Sequence, residues 1–191
     1  MSNPGACAGA PSPWLLRWPA AIRPGASALD LACGSGRHVR YLAAQGMRVT
    51  AVDRDAQALA GLEAVARVVQ ADIEAGPWPL AGERFDLVLV TNYLWRPLLP
   101  TIVESVAPGG WLVYETFALG QQTIGRPARA EFLLAPGELL AACRGQLRVV
   151  GYEDGFEPAS ADGTVNARYV QRVAAVREAA PEGVFTRYPL G

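Results

Sequence analysis

Ala28-Leu29-Asp30-Leu31-Ala32-Cys33-Gly34-Ser35-Gly36-Arg37-His38 sets the frame for the rest of this 191-residue chain. It reads in three pieces. Ala28 to Ala32 is an apolar run interrupted by one carboxylate, which suits a buried parallel strand. Gly34-Ser35-Gly36 is a turn in which two residues lack Cβ, so the backbone can take φ > 0 and a ligand can approach it closely. From Arg37 the apolar spacing becomes helical, with Val39, Leu42, Ala43 and Met47 mostly three or four apart. A strand, a glycine turn and a helix start are how an open α/β sheet presents backbone N–H groups to a ligand.

Two phosphate-binding patterns of this kind fit poorly. The dinucleotide fingerprint wants a small residue three positions after the second glycine, and that position is Val39. A Walker loop needs Gly-Lys-Ser or Gly-Lys-Thr, and the chain has no Lys. What remains is Asp30-x-x-x-Gly34-x-Gly36, followed by Asp53 at the end of the next apolar segment, Val49-Thr50-Ala51-Val52-Asp53. A plain strand–helix turn with two acidic caps would leave Asp30 buried in an apolar run, which is costly unless the carboxylate is paired or hydrogen-bonded.

This arrangement resembles the first two cofactor motifs of class I S-adenosylmethionine-dependent methyltransferases. The resemblance implies S-adenosyl-L-methionine as cofactor and S-adenosyl-L-homocysteine as product. It places both ribose hydroxyls on Asp53 and the methionine part over the glycine turn. It puts Asp72, after the third strand, at the exocyclic amine of adenine, with Ile73 against the ring. The cofactor-binding set carried over is Asp30, Ala32, Cys33, Gly34, Ser35, Gly36, His38, Asp53, Arg54, Asp72, Ile73 and Asn92. Asp72 can equally be a loop carboxylate in water, and Cys33 a small packing residue.

The totals are those of one soluble globular domain with about half its residues apolar and no run approaching a membrane span. Net charge is −1, which argues against a broad nucleic-acid surface. All 17 basic residues are Arg, which reads as genomic base composition. Cys7, Cys33 and Cys143 match no metal spacing, so no metal is expected, and they suit a reduced, cytoplasmic setting. No secretory signal is visible at the N-terminus.

In order along the chain, residues 1–25 read as an arm with a short apolar element at Trp14-Leu15-Leu16-Arg17-Trp18, either packing on the sheet edge or flapping over the cofactor. Residues 26–177 read as the cofactor-binding domain and 178–191 as a tail. Helices are expected over Arg37–Gln45, from an Asp55 cap to about Glu63, over Leu98–Ala107 and over Pro136–Cys143. Strands are expected at Arg48–Val52, Val65–Gln70, Phe85–Val90, Trp111–Thr116, Gln146–Glu153 and Arg168–Val176. An Asp162-Gly163 turn would join the last two as an antiparallel hairpin. The fold class is therefore α/β, a doubly wound, mostly parallel seven-stranded sheet of Rossmann-like, class I methyltransferase type, with an antiparallel C-terminal hairpin.

Leu31-Ala32-Cys33-Gly34-Ser35-Gly36-Arg37-His38, Tyr114-Glu115-Thr116-Phe117 and Phe132-Leu133-Leu134-Ala135-Pro136-Gly137-Glu138 resemble the small bacterial tellurite-resistance and thiopurine methyltransferase group. That resemblance implies methyl transfer to a small-molecule acceptor, such as a thiol or a chalcogen oxyanion like tellurite. Asn92-Tyr93 lacks the paired prolines of amino-methylating enzymes. Methyl transfer from a sulfonium needs alignment above all, and a base only where the nucleophile carries a proton. Candidate catalytic residues are Asn92, Tyr93, Arg96 and Tyr114. Arg126 and Arg168 are further cations expected at the cleft mouth. His38 is either a cofactor or cleft contact or a packing histidine, and Glu115 a base or an ion-pair partner. The alternatives are a non-catalytic cofactor-binding module and an RNA methyltransferase that works with a partner protein.

Overall fold

A seven-stranded sheet carries the molecule in a computed structural model that describes residues 9–160, 166–179, 186–188 and 190. The strands are β1 (Ser27–Leu31), β2 (Arg48–Asp53), β3 (Arg67–Gln70), β4 (Phe85–Thr91), β5 (Val106–Phe117), β6 (Arg148–Glu157) and β7 (Arg168–Val176). Their spatial order is β3-β2-β1-β4-β5-β7-β6. The first five pair in parallel, and β7 is antiparallel to both β5 and β6. The turn expected at Asp162-Gly163 lies outside the described residues.

Side-chain alternation divides the core in two. Leu29, Leu31, Val88, Val90, Leu112, Tyr114, Val173 and Ala175 face one layer, which the helices α4 (Leu99–Glu104) and α5 (Glu138–Cys143) help to cover. Ala28, Leu87, Leu89, Trp111, Val113, Ala174 and Val176 face the other, beneath α2 (Arg37–Ala44). The N-terminal apolar segment belongs to this second layer. Helix α1 (Pro13–Leu16) is capped by Ser12, whose Oγ accepts from the Trp14 amide. Trp14 and Trp18 are buried, and Trp14 Nε1 donates to the carbonyl of Val173 on β7 at 3.2 Å.

Three elements differ from expectation. The helix starting at Asp55 is one turn only, α3 (Ala56–Leu59). The expected Leu98–Ala107 helix is split into a 3-10 turn at Arg96–Leu98 followed by α4. β5 begins at Val106 and runs straight through Pro108-Gly109-Gly110, because Gly109 donates to and Gly110 accepts from Arg177 across the strand pair.

Candidate functional site

The carboxyl ends of β1 and β4 lie side by side, with Leu31 registered against Val90, so the loops that follow them flank one cleft. Two residues there hold left-handed backbone without being glycine: Ala32 at φ 54° and Asn92 at φ 55°. Such conformations cost on the order of 1–3 kcal/mol each and gather where a site constrains the chain. The Asn92 amide donates to the carbonyl of Glu115, which fixes the start of that loop against β5.

The glycine turn is shaped from both sides. A Cβ built on Gly34 would meet no heavy atom within 4 Å, whereas one on Gly36 would lie 2.5 Å from Leu62 Cδ2. Gly36 is thus required by packing, and Gly34 fronts open space of the kind a ligand fills. Asp53 braces the turn: its Oδ2 accepts from the Gly34 amide at 2.8 Å and its Oδ1 from the Asp55 amide at 3.0 Å. Each oxygen keeps a further acceptor site, as ribose hydroxyls require. Ala32, Asp53, Arg54, Ala71, Asp72, Ile73, Glu74 and Tyr93 line a cleft of about 150 Å³ beside the turn. Seven of these eight come from the ends of β1, β2 and β3. Asp72 turns its Oδ1 to the Glu74 and Ala75 amides, and these bonds hold its carboxyl below the usual range. The residues fit S-adenosylmethionine: an open space at a Cβ-less position, a carboxylate for two hydroxyls, and a carboxylate beside an apolar side chain for the adenine edge and face.

Asp30 is buried on the α2 side of β1, and neither carboxylate oxygen makes a hydrogen bond. Burial pushes its pKa up to about 7; the Arg37 guanidinium opposes this, Asp53 reinforces it, and the nearby Val39 amide opposes it. It lies beneath the turn and does not line the cleft, so its expected role as a cofactor contact is replaced by one of support. Cys33 is buried, its thiol pushed up by burial and by the Asp30 and Asp53 carboxylates, which suits packing and not nucleophilic attack.

Three sequence expectations are corrected by geometry. Arg96 forms a two-pronged ion pair with Glu138, at 2.7 and 2.9 Å, and donates to the carbonyls of Glu131 and Leu133. Every prong is engaged in tying the loop before α5, so it is structural. Tyr114 is buried and donates its hydroxyl to the carbonyl of Tyr93 at 2.8 Å; burial raises its pKa, and it positions Tyr93 without reaching the cleft. His38 is buried, with Nε2 accepting from the Ser12 amide at 3.1 Å, and burial followed by Arg37 depresses its pKa to about 3. It is a neutral anchor for the N-terminal segment, not a contact for a cofactor carboxylate.

Asn92 and Tyr93 do reach the cleft region. A second cavity, of about 300 Å³, is lined by Glu74, Asn92, Tyr93, Leu94, Thr116, Phe117, Pro127 and Phe132. It shares Glu74 and Tyr93 with the first. The Tyr93 hydroxyl is buried without a hydrogen-bond partner, and burial with the neighbouring Glu74 carboxylate raises its pKa. Ser35 is exposed on the turn, and Arg54 and Ile73 line the first cavity as expected. Among the described residues no group of His, Cys, Asp and Glu is placed to hold a metal, and no helix is long and apolar enough to cross a membrane.

Glu74 has no signal in the sequence, and Glu115, open there to a role as base or as ion-pair partner, takes the second. Glu74 follows Asp72 in a loop whose direction only the fold shows. Glu115 is buried on β5, where Arg172 Nε donates to it at 2.9 Å, Arg168 Nη2 at 3.4 Å, and the Ser12 hydroxyl also donates to it. Its partners are 57, 53 and 103 residues away in the chain.

Comparison with known proteins agrees with this geometry. Residues 28–110 match a family described as "Methyltransferase domain". A malonyl-[acyl-carrier protein] O-methyltransferase of Enterobacter lignolyticus is 41% identical over 101 residues, covering 49% of this chain and 39% of that protein. One from Pseudescherichia vulneris is 35% identical over 63% of this chain and 55% of its own length. The chain thus spans about half the length, or less, of the curated relatives it matches. Among solved structures, TehB from Haemophilus influenzae superposes with a TM-score of 0.66 at 22% identity, over 84% of this chain and 60% of that one. A Mesorhizobium loti S-adenosylmethionine-dependent methyltransferase does so at 0.63 and 19%, over 85% and 94%. In sheet order and glycine turn the chain has the fold of the class I S-adenosylmethionine-dependent methyltransferases, and its residues 28–110 match the methyltransferase-domain family.

Proposed function

We propose that the chain transfers the methyl group of S-adenosylmethionine to a small-molecule acceptor. The observation that carries this reading is the meeting of two cavities at Tyr93 and Glu74: one lined by Ala32, Asp53, Asp72 and Ile73, the other opening past Asn92. When bound, S-adenosylmethionine supplies an electrophilic methyl on a sulfonium. Asp53 would accept from both ribose hydroxyls, Ile73 would lie on the adenine face and Asp72 at its amine edge. Asn92, held in left-handed backbone by the Glu115 carbonyl, would orient the acceptor. Tyr93, steadied by Tyr114, would present its hydroxyl at the join of the cavities. Phe117, Pro127 and Phe132 would exclude water from the reacting pair.

Tyr93, Tyr114 and Cys33 are all driven toward their neutral forms, and His38 is already engaged. That favours an acceptor that arrives as an anion: a carboxylate, a thiolate or a chalcogen oxyanion. The curated relatives bear a name for O-methylation of a malonyl group, which suits the carboxylate member of that set. Cys33 and Cys143 are free and buried, in keeping with work in the reducing cytoplasm.

The test is calorimetric titration with S-adenosylhomocysteine, beside NAD and an Asp53→Ala variant. Micromolar binding of the first, none of NAD, and a loss of ~1–3 kcal/mol in the variant are expected. Folded protein, stripped of carried-over ligand, that binds no S-adenosylhomocysteine would end the reading. Binding without turnover across a panel of carboxylates, thiols and chalcogen oxyanions would make the domain a cofactor-binding module.

A further inference from the structure

A third cavity, of about 650 Å³, has no part in the account above. It shares Asn92 and Phe117 with the cavity past Tyr93, so the two adjoin at the loop after β4. Its wall includes the segment Gly9–Pro13, which Ser12 fastens through His38 and Glu115. Three guanidinium-bearing residues line it, Arg37, Arg126 and Arg168, against a single carboxylate, Glu115.

The charges do not cancel. Glu115 is engaged by Arg172, Arg168 and Ser12. Arg168 is engaged in turn, with its Nε 2.5 Å from Glu157. Among the described residues, the side chains of Arg37 and Arg126 make no hydrogen bond or ion pair. Two uncompensated guanidiniums, one half-buried (Arg37) and one exposed (Arg126), therefore line one open cavity beside the loop that orients the acceptor. A concave site with unpaired cations concentrates anions, and a guanidinium fork matches a carboxylate or another oxyanion.

We infer that this chamber is the anion subsite of the methyl acceptor: it takes a small molecule bearing a carboxylate or like oxyanion, anchored by Arg126 with Arg37 and roofed by the Gly9–Pro13 segment. The inference deepens the methyltransferase reading and rests on it. Arg37 adjoins Gly36, where the cofactor's own carboxylate could also be met, so Arg126, on the loop after β5, is the discriminating residue.

The experiment titrates the full chain, first saturated with S-adenosylhomocysteine, with succinate, inorganic phosphate and the neutral succinamide at low salt. The same titrations are run on Arg126→Gln and Arg126→Lys. Expected are succinate binding that weakens as salt rises, no binding of succinamide, and about a tenfold or greater loss in Arg126→Gln. Arg126→Lys should recover part of it, and S-adenosylhomocysteine affinity should stay within about twofold in both variants. Succinamide binding like succinate, or Arg126→Gln binding succinate like the parent, would overturn the inference. So would a saturated protein that binds no anion; each of these results leaves the cofactor reading standing. Failure of S-adenosylhomocysteine to bind would remove both.

Discussion

Replacing Asp30 by Asn should remove a pH dependence built into the core. Asp30 is 1% exposed, and neither oxygen is hydrogen-bonded. Burial raises its pKa from 3.8 to about 7. Between those values the folded state holds a proton that the unfolded state has released. Stability contributed by this residue therefore falls as pH rises through the window and is flat above it. At ~1.4 kcal/mol per pH unit the loss reaches at most about 4 kcal/mol by pH 7. Asn cannot ionise and escapes it. His38 has the opposite sign: with its folded pKa near 3 it is neutral in the native state, so stability is lost as pH drops below about 6.5, where the unfolded imidazole takes a proton. That slope is common to both proteins and cancels in their difference. Urea unfolding followed by tryptophan fluorescence from pH 4.5 to 7.5 should show the Asp30→Asn minus parent difference moving in favour of the variant by about 2–4 kcal/mol. Any fixed cost of burying the new amide donors shifts the whole curve and leaves its slope alone. A flat difference, or one that moves the other way, would mean that Asp30 is ionised and stabilised in the folded protein.

The two glycines of the turn should fail differently. Gly36→Ala drives a methyl into the buried Leu62 at φ 77° and should cost about 2–4 kcal/mol in thermal or urea unfolding. Gly34→Ala meets no protein atom and should cost only about 1–2 kcal/mol, while S-adenosylhomocysteine affinity drops about tenfold or more. The reverse pattern would contradict the assignment of open space to ligand. Glu115→Gln strips a buried carboxylate from Arg172, which keeps Glu153 and Glu157, and should destabilise by about 3 kcal/mol; a loss below about 1 kcal/mol would show that the cluster is screened by water.

What could be read in advance was whatever the chain writes locally. The apolar run to Leu31, the glycines and Asp53 lie within 26 residues of one another, and their spacing specifies strand, turn and ribose carboxylate together. The near-continuous apolar run of Phe85–Val90 specifies a strand buried on both faces, as β4 is. Arg96, Tyr114 and His38 could not be placed, because each is defined by a partner far along the chain: Glu138, the Tyr93 carbonyl and the Ser12 amide. An arginine reads the same in sequence whether its fork is spent on a loop, as in Arg96, or left open, as in Arg126. Pro108-Gly109-Gly110 lies before the strand expected from Trp111 and is strand all the same, since hydrogen bonds with Arg177 outweigh the local turn preference of Pro-Gly-Gly. A short sequence signal loses wherever cross-strand pairing supplies its backbone partners.

The position of β7 bears on how the chain is made. It fills the slot between β5 and β6, bonded on both sides, yet it follows both in sequence. A nascent chain that has emerged only as far as β6 has two edges with nothing between them. Trp111, Val113 and Tyr114 on β5 are left along an open strand edge, the kind of surface that templates aggregation. The parallel half can assemble as it leaves the ribosome, because each strand finds a neighbour already laid down or soon to come. The antiparallel half is complete only once Arg168–Val176 has been made and has paired with both β6 and β5. Closing a loop of some fifty residues makes that pairing the slow, non-local step. The cationic chamber, with Glu115 and Arg168 on the two strands brought together last, would then be the final part of the molecule to exist.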